Sequence, residues 1–172
     1  MSDEKKKYTI SVFSENYTGI LYRITQIFTR RKINIESLTT SESEKEGIHR
    51  FTIVVYATEN TVRNVVLQIE KLVDVLMASY FLDDEVVARE IALYKMKPGP
   101  KVNEIVEAHN AKILYADADF VAIEKTGRKD ETKSLFKALE PHGILEFVRS
   151  GRVAVSKPMR SLHSFLEEIG EA

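Results

Sequence analysis

Cysteine is absent from all 172 residues. Thiol nucleophiles, disulfides and cysteine-ligated zinc are therefore excluded. Long apolar runs are missing too: none approaches the ~20 residues a membrane-spanning helix needs. The lysine-rich start, Lys5-Lys6-Lys7, is not followed by the apolar stretch of a secretory signal. A soluble, cytoplasmic protein without membrane contact is the expectation, and the Asn16-Tyr17-Thr18 sequon then carries no meaning. No excess of one charge exists, since 25 basic residues face 26 acidic ones. That balance argues against a nucleic-acid partner. Catalytic motifs are lacking as well, with no Gly-rich phosphate loop, no HExxH and no nucleophile elbow. His49, His109, His142 and His163 are scattered without ligand spacing. Asp117 and Asp119 fall in a hairpin turn, where Asp is favoured for backbone reasons. No catalytic residue, no metal site and no cofactor on this chain are expected.

What is present is core material, at 44% hydrophobic residues, with 30% charge to keep it soluble. The length holds one ordinary domain or two small ones. The organising stretch is Ser14 to Thr40. A strand pattern at Tyr8–Ser14 leads into the turn Asn16-Tyr17-Thr18-Gly19. Ile20/Leu21, Ile24, Ile27 and Phe28 then recur at three-and-four spacing, the mark of a helix with one buried face. After Arg31-Lys32 the pattern becomes the two-residue period of a strand. A polar, Gly-containing turn thus sits at a helix N-terminus, where unpaired N–H groups carry partial positive charge. Such a mouth suits a small carboxylate, and Gly19 lets a ligand approach the backbone. Thr18 offers the alternative, a side-chain cap in place of a ligand.

The rest follows in order. Arg50–Tyr56 is a strand with Phe51, Ile53 and Val55 on one face. Val62, Val65, Val66 and Ile69 mark a second helix, and Val73–Phe81 a fourth strand. This β-α-β-β-α-β order is the ferredoxin-like arrangement. Asp83-Asp84-Glu85 reads as a junction, after which the order repeats. Val86–Lys97 is a strand, Val102, Ile105 and Val106 stripe a helix, and Ala111–Ala116 and Phe120–Lys125 form a strand pair. Leu135, Phe136 and Leu139 mark another helix, and Ile144–Arg149 a last strand. Leu162, Phe165, Leu166 and Ile169 fit a short C-terminal helix. The expected class is α+β, two tandem ferredoxin-like βαββαβ modules. The boundaries are a loose 1–7, a first module 8–82, a second 83–157 and a tail 158–172. A module this small is marginal alone and has open sheet edges, so dimerisation is expected.

ENYTGIL, the helix after it and NIESLTT closely resemble the N-terminal signature of the acetolactate (acetohydroxyacid) synthase small subunit. The likeness continues in KLVDVL (Lys71–Leu76), REIALYK (Arg89–Lys95) and EFVRSGRVAVSK (Glu146–Lys157). The resemblance implies that the first module is an ACT domain, homodimeric through that domain. It also implies valine as allosteric effector and a catalytic large subunit as partner. Thiamine diphosphate, Mg²⁺ and, optionally, FAD would belong to that large subunit. By matching position, the effector residues would be Asn16, Gly19, Ile20 and Leu21 of one protomer with Asn34 of the other. Asn34 has the alternative role of a strand-end turn residue. Lys32 departs from the family, which often has Gly there; in a left-handed conformation it would cost roughly 1–2 kcal/mol. Arg149, Gly151 and Arg152 are candidates for activating the large subunit, or else an ordinary turn with solvated arginines. The rival function is a free-standing amino-acid-sensing ACT protein in transcriptional control.

Overall fold

The computed structural model describes residues 4–158 together with Leu162, Ser164 and Glu167. Two compact units emerge, one of Met1–Val87 with Arg152–Ala172, the other of Ala88–Gly151. The first contains β1 (Lys6–Glu15), α1 (Ile20–Arg30), β2 (Ile35–Glu42), β3 (Ile48–Ala57), α2 (Glu59–Ile69) and β4 (Val75–Leu82). Its antiparallel sheet runs β2-β3-β1-β4. Alternation along β1 and β3 turns Tyr8, Ile10, Val12, Phe51, Ile53 and Val55 toward one face. The apolar stripes of α1 (Ile20, Ile24, Phe28) and α2 (Val62, Val65, Val66, Ile69) cover that face, giving one buried core.

The opposite face of this sheet is covered too. Thr9, Ser11, Phe13 and Thr52 are buried although the helices lie on the other side. The segment beginning at Arg152 accounts for it. The Arg152 guanidinium donates to Thr9 Oγ1 at 3.0 Å and to Asp83 Oδ1 at 2.6 Å. The Thr39 hydroxyl donates to the Arg152 carbonyl at 2.9 Å. Arg50 donates to the Ala154 carbonyl at 2.7 Å and to Ser11 Oγ at 3.2 Å, and lies over the Phe13 ring. Leu162 packs with Phe13 and Ile48. The expected second-module boundary at 157 differs from this grouping, because a tail drawn from periodicity alone carries no sign of what it packs on. Leu162, Ser164 and Glu167 are helical; Phe165, Leu166 and Ile169 of the expected helix lie outside the described residues.

The second unit repeats the plan with β5 (Val86–Met96), α3 (Pro100–Ala108), β6 (Lys112–Ala116), β7 (Val121–Gly127), α4 (Lys129–Leu139) and β8 (Ile144–Arg149). The strand order β6-β7-β5-β8 corresponds position for position to the first sheet. Ala92, Tyr94, Met96, Val102, Val106, Val121, Ile123, Leu135 and Leu139 form its buried core. β9 (Val153–Ser156) lies in the segment that returns to the first unit. Two tandem βαββαβ modules of the ferredoxin-like class are therefore the architecture.

β2 begins at Ile35 rather than directly after Arg31-Lys32, and the end of α1 explains the difference. Lys32 is left-handed, φ 55°. Its N–H reaches Thr29 O at 3.0 Å, and the Ile33 N–H reaches back to Phe28 O at 3.0 Å. These two bonds are a Schellman closure that consumes residues 32 and 33 before extended backbone can start. α3 ends the same way around Asn110, φ 49°, with the Ala111 N–H on Val106 O.

Candidate functional site

The turn between β1 and α1 is built from backbone bonds. The Glu15 N–H donates to Asp74 O at 2.9 Å, Asn16 N–H to Gly47 O at 3.0 Å, and Tyr17 N–H to Glu15 O at 2.9 Å. Gly19 is left-handed, φ 89°, and α1 starts directly after it. Thr18 does not cap the helix: α1 has no side-chain cap. It also carries no acidic residue in its first turn. α2 shows the contrast, with Thr58 Oγ1 accepting from the Thr61 N–H and Glu59 in the first turn.

Of the N–H groups expected to hold a carboxylate, Ile20 is already engaged, donating to Tyr17 O at 3.2 Å. Those of Gly19 and Leu21 have no partner among the described residues. A Cβ on Gly19 would meet nothing within 4 Å, so the mouth opens to solvent. The Ile20 side chain is buried in the core, whereas Leu21, Tyr17 and Tyr22 are exposed around the mouth. Asn16 is exposed, with its backbone N–H held by Gly47 O. The arrangement can offer two backbone donors and an amide to a small anion, with apolar side chains beside them.

Asn34 is exposed at the start of β2, beyond the far end of α1. α1 has 11 residues, so at 1.5 Å rise per residue the two ends are roughly 16 Å apart. One protomer thus gathers Asn16, Gly19, Ile20 and Leu21 at one end of the helix and leaves Asn34 at the other.

Arg149, Gly151 and Arg152 are not a cluster of solvated cations. Arg149 Nε lies 3.5 Å from Glu90 Oε1, a mostly buried carboxylate that also accepts from the Thr132 hydroxyl at 2.5 Å. Arg152 is largely buried against Asp83 and Thr9 in the first unit. Burial raises the Asp83 carboxyl, but the Arg152 hydrogen bond and charge, with Lys7 beside it, bring it below its ordinary value. The chain passes between the units at Gly151/Arg152. Asp117 is a turn residue: Oδ1 accepts from the Asp119 and Phe120 N–H groups and Oδ2 from the Tyr115 hydroxyl. These bonds hold its carboxyl below the ordinary range. Among the described residues no group of three or more His, Asp or Glu is placed to hold a metal ion. No helix among them is long and apolar enough to cross a membrane.

Two residues at the mouth escape a sequence reading. Arg23 Nη2 of α1 lies 2.6 Å from Asp74 Oδ2, which is sealed from solvent and receives no hydrogen bond of good geometry, so the contact is one of charge. Asp74 sits in the loop between α2 and β4, and neither periodicity nor spacing links it to the turn.

A family model described as an AHAS small subunit-like ACT domain matches residues 10–77, and one described as the small subunit of acetolactate synthase matches residues 89–158. The acetolactate synthase small subunit of Mycolicibacterium smegmatis is 34% identical over 94% of this chain and 98% of its own length. That of Bacillus subtilis is 34% identical over 88% of this chain and 91% of its own length. The crystal structure of the small subunit from Thermotoga maritima superposes with a TM-score of 0.82 at 28% identity, covering 88% of this chain and 98% of that one. With the ACT-type turn in the first module and likeness of this extent through both, the chain belongs to the acetolactate synthase small-subunit family.

Proposed function

We propose that this chain is the regulatory subunit of an acetolactate synthase, raising the activity of a catalytic large subunit and making it sensitive to valine in branched-chain amino-acid biosynthesis. The reacting groups, thiamine diphosphate and Mg²⁺ (with FAD where present) belong to the large subunit. The effector site joins the α1 mouth of one protomer to Asn34 of a second. The observation that carries this reading is the separation of those two places along α1. A single amino acid cannot bridge roughly 16 Å, so both can touch one ligand only if a second copy supplies Asn34. β2, which follows Asn34, is an edge strand of the first sheet, and an open edge is available for pairing with the same strand of another copy.

In this arrangement the Gly19 and Leu21 N–H groups take the valine carboxylate at the positive helix end. Asn16 and Asn34 offer amide oxygens to the ammonium. Tyr17, Leu21 and Tyr22, exposed in one copy, supply apolar surface for the isopropyl group. Feedback needs only that valine favour one state of the complex by ~1–3 kcal/mol of coupling. Activation is assigned to the second module with the stretch Arg149, Gly151, Arg152. Because both arginines are ion-paired, their part is to fix the backbone around the crossing rather than to present free charge.

Reconstitution with the large subunit, with and without valine, tests the reading. Higher turnover on adding this chain, reduced by valine, is expected. A large subunit whose rate ignores both would refute it.

A further inference from the structure

We infer that Asp74 is a positioning residue for the effector turn, gripping both ends of the segment 15–23 from the loop between α2 and β4. The inference rests on the reading of that turn as the valine site and adds what holds it in shape. Three contacts carry it. The Asp74 carbonyl accepts from the Glu15 N–H at 2.9 Å, where β1 ends. Its carboxylate reaches Arg23 in the first turn of α1 at 2.6 Å. Between these two points the described residues give the segment one further hydrogen bond to another part of the fold, the Asn16 N–H on Gly47 O, besides the core packing of the Ile20 side chain.

The charge arrangement has a reason. A cation in the first turn of a helix faces the positive end of the helix dipole and is unfavourable there. No acidic residue in the first turn of α1 offsets Arg23. Asp74 does so from outside the helix, and its Oδ2 is sealed from solvent while Arg23 remains partly exposed. A buried carboxylate oxygen without its cation is costly, so the pair holds the mouth of α1 to the start of β4.

The loop bearing Asp74 is itself tied down. Leu72 N–H donates to Ile69 O and Val75 N–H to Leu72 O, which continues the end of α2 into β4. β4 then pairs with β1, with a register shift between Phe13 and Ser14 opposite Val75. Past that shift the register carries on to place Glu15 opposite Asp74, and the Glu15 N–H on Asp74 O continues the β1–β4 pairing. The turn is consequently set by α2 and β4 as well as by α1 and β1.

The test uses the full chain and two substitutions, Asp74→Asn and Arg23→Gln, alone and together. One measurement needs no ligand: amide hydrogen exchange at Asn16, Tyr17 and Ile20, compared with core amides of β3. Asp74→Asn should speed exchange in the turn about tenfold, the ratio that matches ~1.4 kcal/mol, and leave β3 unchanged. The second measurement is inhibition of the reconstituted synthase. Each single variant should raise the valine concentration for half-inhibition about tenfold, since a loosened turn must be ordered on binding. Maximal activation should stay at the wild-type level, and the double variant should be no worse than either single one.

Unchanged exchange in the turn, or effects of the two substitutions that simply add, would overturn the positioning role. If the turn loosens as expected but the wild-type chain takes no valine, the effector reading falls and the positioning role stands. Equal loosening of β3 would show a purely structural contribution and would also overturn it.

Discussion

Gly19 is the position at which binding and stability should respond with opposite signs. Its φ of 89° places any L-residue in the left-handed region, at about 1–2 kcal/mol. No steric term adds to this, because a Cβ there meets nothing within 4 Å. Gly19→Ala should therefore fold and lose about 1–2 kcal/mol of stability. Gly19→Asp suffers less, since Asp tolerates this conformation better, and it supplies the anion that the first turn of α1 lacks, which helps by ~0.3–1 kcal/mol. The aspartate variant should thus melt at or above the alanine variant.

Valine binding should run the other way. A carboxylate at position 19 sits beside the donors proposed for the ligand carboxylate. Two like charges ~4 Å apart repel by ~1 kcal/mol in water and ~4 kcal/mol at a half-buried site. Inhibition by valine should weaken at least about fivefold in Gly19→Asp and less in Gly19→Ala, with activation of the large subunit retained in both. Parallel melting curves and valine titrations of the reconstituted enzyme provide the measurement. A folded Gly19→Asp complex with wild-type valine sensitivity would show that the mouth of α1 is not where valine binds.

The parts of this architecture that were legible in the sequence are those encoded within one element. Ile20, Ile24 and Phe28 name the buried face of α1 because a helix repeats every 3.6 residues, and that face is the one observed. The family resemblance, with Gly common at this position, raises a left-handed conformation for Lys32, and Lys32 adopts one. The uncapped state of α1 was not legible, because Thr18 has the right chemistry for a cap and only its geometry disqualifies it. Thr9 and Ser11 would ordinarily mark the wet face of β1. They are buried because a segment distant in sequence lies on them, and the bonds of Arg152 and Arg50 show how. The same distance hid the pairing of Arg149 with Glu90 and of Arg23 with Asp74. Long-range ion pairs leave no periodic trace, so a basic run reads as surface charge until the fold supplies its partners.

Alkaline pH should destabilise the second module through Tyr94. Burial, with the Glu90 charge adding and Arg149 opposing, raises its phenol to about 12. The folded state therefore holds this proton more tightly than the unfolded chain, and stability present below pH ~10 is lost as pH rises through 10 toward 12. Tyr94→Phe should flatten that slope in urea unfolding series, while costing about 1 kcal/mol at neutral pH for the lost bond to Thr132 O. Arg152→Gln should lower the stability of the first module by about 1–2 kcal/mol, discounted because Asp83 is half exposed. The depressed Asp83 carboxyl contributes stability above the unfolded value of ~4, lost as pH falls through the folded one, and this variant should lose that acid-side slope. A wild-type melting curve with lost activation would instead mark Arg152 as a contact to the large subunit. Truncation is the most direct check on the covered second face. A chain ending at Leu82 keeps all six elements of the first module but lacks Arg152, Ala154 and Leu162, which lie over Thr9, Arg50, Phe13 and Ile48. Phe13 and Ile48, now buried, would meet water, at about 1.5–3 kcal/mol for each large side chain fully uncovered. The fragment should bind a hydrophobic dye and melt well below a fragment in which residues 1–87 are joined by a flexible linker to 152–172. Equal melting temperatures for the two would mean that the returning segment contributes nothing to the first module, and that the burial of Thr9, Ser11 and Thr52 has another origin.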